Sequence, residues 1–550
     1  MAVKDTKPPK WSKDSGDTSD IYRDEKPSPF SIEAIRSGAV SSNLAKGFII
    51  VSGLILAGGF LIGGFGTPSE PGYVNPTTTV ATVQNEEVTA GTLASALERT
   101  QQFNELYGQR TSASSYLRDK QSALKQLTDS AALIVAAQNA GITVSGADID
   151  KKIEELIAEQ LKPQGGQTPA AFRRAIETQF GSMEKAKTEL RTNLNQNRDA
   201  ISKDLLVEKL EKKIKDENKV TEDDFKRSVT KLKLWQIAIR PDSPKPGTKD
   251  VTKEIEKLNL KAQEEANKLL ASLKKTPTLA AFQAAARKQS DDDATKAKGG
   301  DLGLKLPSEV PYGPEFGETL AKSASNLVGP LKDAGGTQWI FFIENRKTEL
   351  PKDWAKNKKK LLADFETQRD NEAWQKARTE FTKGVTPQVS DPALAAYELI
   401  NDPEFFNKST EQQKKIREEA LERFAGAVQN ATGTEAAAIH LQMANLYRDL
   451  NKKPEQLKAL EQAVKAEPND AELRLEYARS LRDAAQPKVA LAQLQEASKA
   501  LDNAPAPAMM FGGGGDPNAG MRQQIAAEFT QLKQPKLAEA ERAKIKAPEP

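Results

Sequence analysis

The sequence predicts a mostly α-helical chain with one small α+β domain and a membrane anchor helix. Ala, Gln, Lys, Glu and Leu dominate the 550 residues, and this composition favours helices over sheet. Apolar residues recur at helical spacing, for example at Leu124, Leu127, Ala131 and Ile134. Strand-like segments are few and short. A chain of this length exceeds one hydrophobic core, so we expect several domains.

The first long apolar run, Gly47 to Phe65, contains no charged residue. Its nineteen residues would span about 28 Å as a helix, close to the ~30 Å hydrocarbon core of a bilayer. Arg36 and Lys46 precede the run, whereas no Lys or Arg follows it until Arg99. The positive-inside rule then predicts a single-pass, uncleaved signal anchor at 47–66 in the cytoplasmic (inner) membrane, with the N-terminus cytoplasmic and the later domains periplasmic or otherwise extracytoplasmic. A buried core helix or a cleaved signal peptide fits this Gly-rich, late-starting run less well.

Composition also divides the flanking segments. Residues 1–46 are rich in Lys, Asp, Pro and Ser and predict a disordered cytoplasmic tail. Residues 67–77, rich in Pro, Gly and Ser, predict a linker.

Several function classes are excluded or disfavoured by residue counts. The 80 Lys and Arg nearly balance the 77 Asp and Glu, so nucleic-acid binding is not expected. The chain has no Cys and a single His, His440, which rules out disulfides and any site that needs two histidines. A nucleotide-binding Gly-Lys motif is also missing. We therefore expect no metal and no cofactor.

Residues 78–228 predict a helical domain that opens with a strand, a polar turn and a helix at Thr89. A long helix is expected from about Tyr116 to Ala140, with Gly141 as its stop. Ser145 and Asp148 are plausible caps of the next helix.

The run LKQLTDSAALIVAAQNAGITVSGADIDKKIEEL within this region resembles the N-terminal chaperone domain of SurA, PpiD and related foldases. In that family a helix ends in Gly, an I-x-V-S turn follows, and the next helix carries an acidic residue before Ile or Val. The segment VATVQNEEVTAGTL is similar to the family's opening strand and first helix, and a V-T-E-x-x-F turn from Val220 to Phe225 closes the region. The resemblance implies a domain that binds unfolded proteins.

Residues 229–346 change from purely helical to mixed patterning. The segments LKLWQIAIRP and TQWIFFIENR predict strands at the two ends, with three helical segments and the motif GGDLG, Gly299 to Gly303, between them. This order and this glycine motif resemble a parvulin (PpiC-type) peptidyl-prolyl isomerase domain. Glycine at such positions allows backbone turns closed to other residues.

The parvulin resemblance also implies site residues. Two facing histidines at the centre of that family's site correspond to Gln236 and Gln338 here, and its Asp or Cys corresponds to Asp292. Phe316 and Tyr312 correspond to the proline slot, where the family commonly has Met at the second position, and Asp333 and Gly335 to a Thr and a Ser. Because glutamine lacks the ring and the titration of imidazole, the resemblance implies a degenerate site, with weak or no isomerase activity.

The remaining chain is helical. Residues 347–389 predict a helical linker, and 390–550 predict helices similar to tetratricopeptide repeats, with a Gly-rich break at 511–520. Small and large apolar residues recur with a period of 34. One copy has Met443, Ala444 and Tyr447 on its first helix and Leu460, Ala463 and Val464 on its second, and the next copy has Tyr477, Ala478 and Leu481, then Ala490, Leu494 and Ala497. An earlier copy has Ala420, Phe424 and Ala427. His440 is expected to be a packing position on a repeat helix.

These features predict a membrane-anchored extracytoplasmic foldase or chaperone. Its SurA-like domain and its degenerate parvulin domain would form a cradle for unfolded or newly translocated envelope proteins, and its repeats would dock a protein partner or extend the cradle. One alternative is an active prolyl isomerase of the same architecture. Another is a repeat-based scaffold for an envelope complex.

Overall fold

The computed structural model describes residues 75–106, 112–163, 168–245, 248, 250–503 and 518–545. The predicted tail at 1–46, the anchor at 47–66, most of the linker at 67–77 and most of the Gly-rich break at 511–520 lie outside these residues. Within the described ranges, no helix combines the length and the apolar character needed to cross a membrane.

The N-terminal part of the described chain is helical after one short hairpin. Its elements are β1 Thr79–Val83, β2 Glu86–Thr89, α1 Ala90–Leu106, α2 Ala113–Asn139, α3 Gly146–Gln160, α4 Pro169–Phe180, α5 Met183–Gln196 and α6 Arg198–Glu217. Local signals act as the sequence predicts. Gly141 has φ +70° just beyond α2. Ser145 and Asp148 form a reciprocal cap on α3, in which each side chain accepts from the other's backbone N–H, at 3.2 and 2.8 Å.

The middle of the chain is the α+β part. It runs through α7 Glu222–Ser228, β3 Thr230–Ile239, α8 Val251–Lys275, α9 Leu279–Gln289, α10 Asp293–Lys296, β4 Asp301–Lys305, α11 Pro314–Lys322, β5 Leu327–Lys332, β6 Gln338–Thr348 and α12 Trp354–Thr382. Its four strands form an antiparallel sheet in the order β4-β3-β6-β5.

The C-terminal part adds one short strand and then helices only. The elements are β7 Gln388–Val389, α13 Pro392–Asn401, α14 Thr410–Ala427, α15 Gly433–Asp449, α16 Lys453–Ala466, α17 Ala471–Asp483, α18 Pro487–Asn503, α19 Ala519–Gln531 and α20 Pro535–Ala543. Strand β7 pairs with β1, so the first sheet has the order β2-β1-β7.

Three helix hairpins in this part share one turn geometry. The turns α15–α16, α17–α18 and α19–α20 each place one non-glycine residue in the left-handed region, namely Asn451, Ala485 and Lys533, at φ 58°, 59° and 59°. In each hairpin the second helix starts four residues after the first ends. The first two hairpins therefore repeat with the 34-residue period read from the sequence.

The described chain divides into two compact units. The first contains the residues up to Lys209 together with those from Phe381 onward, and the second contains Leu210–Glu380. This division differs from the predicted boundaries, which separated 78–228 from 390–550. The reason is helix α2, because Ala113 and Leu117 belong to the core of the C-terminal hairpins while Ala123 and Leu124 belong to the core of β1, β2 and α1.

Candidate functional site

The sheet of the second unit has two differently covered faces. Gln236 of β3 pairs with Phe341 of β6, and Ala238 pairs with Trp339, so these four side chains share one face. That face is packed against Val310 and the helix α11 residues Phe316 and Leu320. The opposite face, with Ile237 and Ile340, packs against α8 and α9.

Gln236 is the centre of a hydrogen-bond network on the face that it shares with Phe341, Ala238 and Trp339. Its side-chain Nε2 donates to Asp292 Oδ2 at 2.7 Å, and its Oε1 accepts from the Tyr312 hydroxyl at 2.7 Å. Thr295 Oγ1 donates to the same Asp292 oxygen. Gln236 is 2% exposed, so these bonds satisfy a buried amide that would otherwise be costly.

The segment before the glycine motif holds Asp292 in place. Ser290 Oγ accepts from the backbone N–H groups of Ala238 and Asp292, both at 3.2 Å. Asp291 bonds to β3 as well, from its backbone N–H to the Ala238 carbonyl at 2.9 Å. The Ser-x-Asp segment is thus fixed to β3 beside Gln236.

Gly300 of the GGDLG motif touches the backbone of Gln236. Its carbonyl accepts the Gln236 N–H at 2.7 Å, and a Cβ at Gly300 would lie 2.3 Å from the Gln236 carbonyl oxygen. Gly300 also has φ +89°, a conformation that side chains rarely allow. The motif therefore positions the first site residue directly.

An aromatic cluster lies beside this polar network. Tyr312 stacks on Trp339 with ring centroids 3.8 Å apart and planes at 28°, and its ring centroid is 5.6 Å from that of Phe316 and 6.0 Å from that of Phe341. Phe316 and Phe341 meet edge to face at 6.2 Å. Burial raises the pKa of the Tyr312 hydroxyl, so it remains a protonated hydrogen-bond donor at neutral pH.

Asp333 orients Trp339. Its carboxylate accepts from Trp339 Nε1 at 2.8 Å through one oxygen, and from the backbone N–H groups of Gly335 and Thr337 at 2.9 Å through the other. Asp333 thus closes the turn between β5 and β6 and holds the indole. Gly335 supplies only a backbone donor to this turn.

Gln338 does not join the other site residues. It pairs with Ile239 and so faces α8 and α9, on the side of the sheet opposite Gln236, and its Nε2 donates to the Gly336 carbonyl at 3.3 Å. The residue of β6 that shares a face with Gln236 in this place is Trp339. If the second histidine of the resembling family faces the first, its position here is Trp339.

Hydrophobic patterning could not show that Trp339 shares this face, because WIFFI is apolar toward both faces and gives no alternation to fix the register. One signal was available. Residues that pair across two antiparallel strands point to the same face of the sheet. An indole on the face of the expected slot is a natural packing partner for Phe316 and Tyr312.

His440 lies on α15 in the first unit, half-buried, and burial lowers its pKa. Its half-buried place on a helix agrees with the prediction of a packing position. Because His440 is the one histidine of the sequence, the site of the second unit contains no imidazole. Its Gln, Tyr, Thr and Trp groups can donate hydrogen bonds at neutral pH, but Gln236 cannot exchange a proton as a histidine would.

Two protein-family models match the chain. Residues 32–198 match a SurA-like N-terminal domain, and residues 219–346 match a PPIC-type PPIASE domain. A comparison with curated protein sequences finds no significant match.

Solved structures of similar chains align over about half of this one. PrsA from Bacillus subtilis is 21% identical and aligns over 61% of this chain and 100% of its own, with a TM-score of 0.17. A peptidylprolyl isomerase, PrsA from Bacillus anthracis, is 19% identical over 47% and 95%, with a TM-score of 0.19. A Campylobacter jejuni structure, described with the virulence factor PEB4 and the periplasmic protein Cj1289 as SurA-like chaperones, is 15% identical over 45% and 96%, with a TM-score of 0.17.

The two domain matches agree with the domain order that the sequence predicts, a SurA-like domain followed by a parvulin domain. With a SurA-like N-terminal domain followed by a parvulin domain, the chain is a foldase or chaperone of the SurA/PpiD type.

Proposed function

We propose that the chain binds unfolded or newly translocated envelope proteins through its SurA-like domain and its parvulin domain, and that the parvulin domain has lost most isomerase activity. The observation that carries this is the amide of Gln236, which takes the place of an imidazole and is already hydrogen-bonded at its nitrogen to Asp292 and at its oxygen to Tyr312. A site accelerates rotation about X-Pro only by binding the twisted amide better than the planar one. Because the Gln236 amide is already hydrogen-bonded within the site, it can add little binding that is selective for the twisted amide.

An isomerase assay on an X-Pro peptide tests this proposal. The wild-type chain is expected to leave the rate near its uncatalysed value. Restoring the paired imidazoles requires Gln236→His with Trp339→His, since these positions share a face, whereas Gln236→His with Gln338→His is the matched control with its second imidazole on the far face. Any gain in rate should be confined to the first pair. Wild-type turnover comparable to that of histidine-bearing parvulins would refute the proposal and favour the alternative of an active isomerase.

We also propose that residues 47–66 anchor the chain in the cytoplasmic membrane with the folded units outside the cytoplasm. The uncharged run and the one-sided distribution of Lys and Arg support this topology. Protease added to intact spheroplasts should digest the region after 66 and spare the tail. Protection of the large region would show that the topology is wrong.

The C-terminal hairpins are, in this proposal, tetratricopeptide-like repeats. Their common turn and the 34-residue period support repeats. Their packing on α2 favours a role as part of the chaperone's own first unit, alongside a docking role for a protein partner, and it disfavours an independent scaffold. Deleting 390–550 should then impair chaperone activity; unimpaired activity would favour the scaffold.

A further inference from the structure

We propose that Tyr312 occupies the proline slot of the parvulin domain and must leave it before a client proline can enter, so that Tyr312 sets the affinity of this site. This inference rests on the proposed function, since it concerns how the same domain binds clients. Tyr312 is then the occupant of the slot, and not part of its wall as the family resemblance implied.

The Tyr312 ring covers three buried aromatic rings. Phe316, Trp339 and Phe341 are 7%, 6% and 0% exposed and form an aromatic floor. Tyr312 lies against all three, is itself only half-buried, and stacks closely on the indole. A proline ring that packed on this floor would need the space that the Tyr312 ring fills.

A polar anchor also holds the Tyr312 ring. The Tyr312 hydroxyl donates to Gln236 Oε1 at 2.7 Å, and Gln236 in turn donates to Asp292. The ring is therefore held at both ends, by stacking and by a hydrogen bond. Because methionine, common at this position in the resembling family, can make neither of these two contacts, the closed arrangement depends on tyrosine.

The backbone next to Tyr312 is irregular and does not tie Tyr312 into a helix or strand. Tyr312 lies outside regular structure, between the 3₁₀ turn Pro307–Glu309 and the start of α11. The next residue, Gly313, has φ +110°, and no heavy atom lies within 4 Å of the point where a Cβ would be attached. The backbone next to Tyr312 is thus uncrowded. Outward rotation of the side chain would break the stack and the single bond to Gln236 while leaving the helix α11 anchor Phe316 in place.

The alternative interpretation is that Tyr312 is an ordinary aromatic packing residue. The two interpretations predict opposite effects of removing it. If Tyr312 only packs, its removal destabilises the unit and does not improve binding. If it competes with the client, its removal tightens binding, by about tenfold for the loss of one stacked pair and one neutral hydrogen bond.

The test measures binding of a fluorescein-labelled peptide with one central Leu-Pro bond to the full chain, with a Leu-Ala peptide as the matched probe. Tyr312→Ala should bind the Leu-Pro peptide about tenfold more tightly than wild type. Tyr312→Phe, which keeps the ring and loses the bond to Gln236, should fall between the two. The Leu-Ala peptide should show no such series.

Tyr312→Met keeps much of the volume of the core and serves if the alanine variant does not fold, with the tryptophan fluorescence of the second unit as the check. Equal or weaker binding of the Leu-Pro peptide by the folded variants would overturn the inference. Suppression of client aggregation, measured on the same samples, separates the role of Tyr312 from the proposed chaperone function. If suppression persists without a gain in peptide binding, only the role of Tyr312 fails. If the wild type does not suppress aggregation, the proposed function itself fails.

Discussion

Gly300 shows how one residue of the GGDLG motif shapes the site. It combines a left-handed backbone with a carbonyl oxygen of Gln236 placed where a Cβ would go, at 2.3 Å. Gly303 has a similar φ, +87°, but no heavy atom within 4 Å of that position. The two glycines therefore separate the cost of backbone strain from the cost of a steric clash.

We expect Gly300→Ala to destabilise the second unit by about 3 kcal/mol or more, because it adds overpacking to a strained φ. Gly303→Ala, the matched control, should cost about 1 kcal/mol from strain alone. Denaturant unfolding followed by tryptophan fluorescence measures both, since the four tryptophans of the described residues, Trp235, Trp339, Trp354 and Trp374, all lie in the second unit. Equal destabilisation by the two substitutions would contradict the contact between Gly300 and Gln236.

At the scale of single residues, the sequence predicted which residues would meet better than it predicted which face of the sheet each one would occupy. The motif and the family pattern identified Gln236, Asp292, Tyr312 and Phe316, which the structure brings together. They also predicted the second central position at Gln338, which lies on the face opposite Gln236, because in a strand one residue changes the face. Both faces of β6 are buried, so hydrophobicity carried no register information; only the pairing with β3 does.

Helix α2 is the element that ties the first unit together. Its N-terminal residues bond to the C-terminal hairpins, with the Ala113 N–H donating to Asp470 at 3.0 Å and the Ser114 hydroxyl to Glu472 at 2.7 Å. Further along the helix, Lys120 donates to Asp391 and Glu435, both at 2.6 Å. Burial alone would lower the pKa of Lys120, but the two carboxylates more than offset it and hold the pKa above its usual value.

Replacing Lys120 by Met should therefore loosen α2 and its partners. Lys120 is 8% exposed, and its loss would leave Asp391 and Glu435 facing each other without a cation, at a cost of about 3–5 kcal/mol. Hydrogen exchange should accelerate in peptides covering α2 and α15 and remain unchanged in the second unit. Lys125→Met on the same helix is the control: Lys125 pairs with Asp129 with its side chain 71% exposed, so about 0.5 kcal/mol or less is expected. Unchanged exchange in the Lys120 variant would show that the ion pairs do not hold the unit together.

Elements were largely predictable, and their long-range packing was not. Caps, glycine stops and helical spacing mark local boundaries such as those of α2 and α3, because these signals act within a few residues. The union of the N-terminal helices with the segment from Phe381 onward rests on contacts between residues far apart in the chain, such as Lys120 and Asp391. No local pattern encodes such a contact, so the sequence suggested two domains where the structure has one unit.

At the scale of the whole molecule, the chain combines a large helical unit with a smaller sheet-containing unit, which matches a PPIC-type domain and contains no histidine. The residues that the parvulin resemblance implies for its site, other than the histidines, include Asp292, Phe316 and the glycine motif. A foldase built this way would act by binding apolar and proline-containing segments and preventing their aggregation, without changing the rate of their isomerisation. Holding and isomerising are therefore separable activities in such a protein.

Refolding of a model protein whose slow phase is limited by an X-Pro bond measures both activities in one experiment. The chain, added without ATP at several-fold molar excess, should raise the yield of native protein and leave the rate constant of the slow phase unchanged. An inert protein at the same concentration is the control for crowding. An unchanged yield would contradict the chaperone function, and a slow phase accelerated in proportion to chain concentration would contradict the loss of isomerase activity.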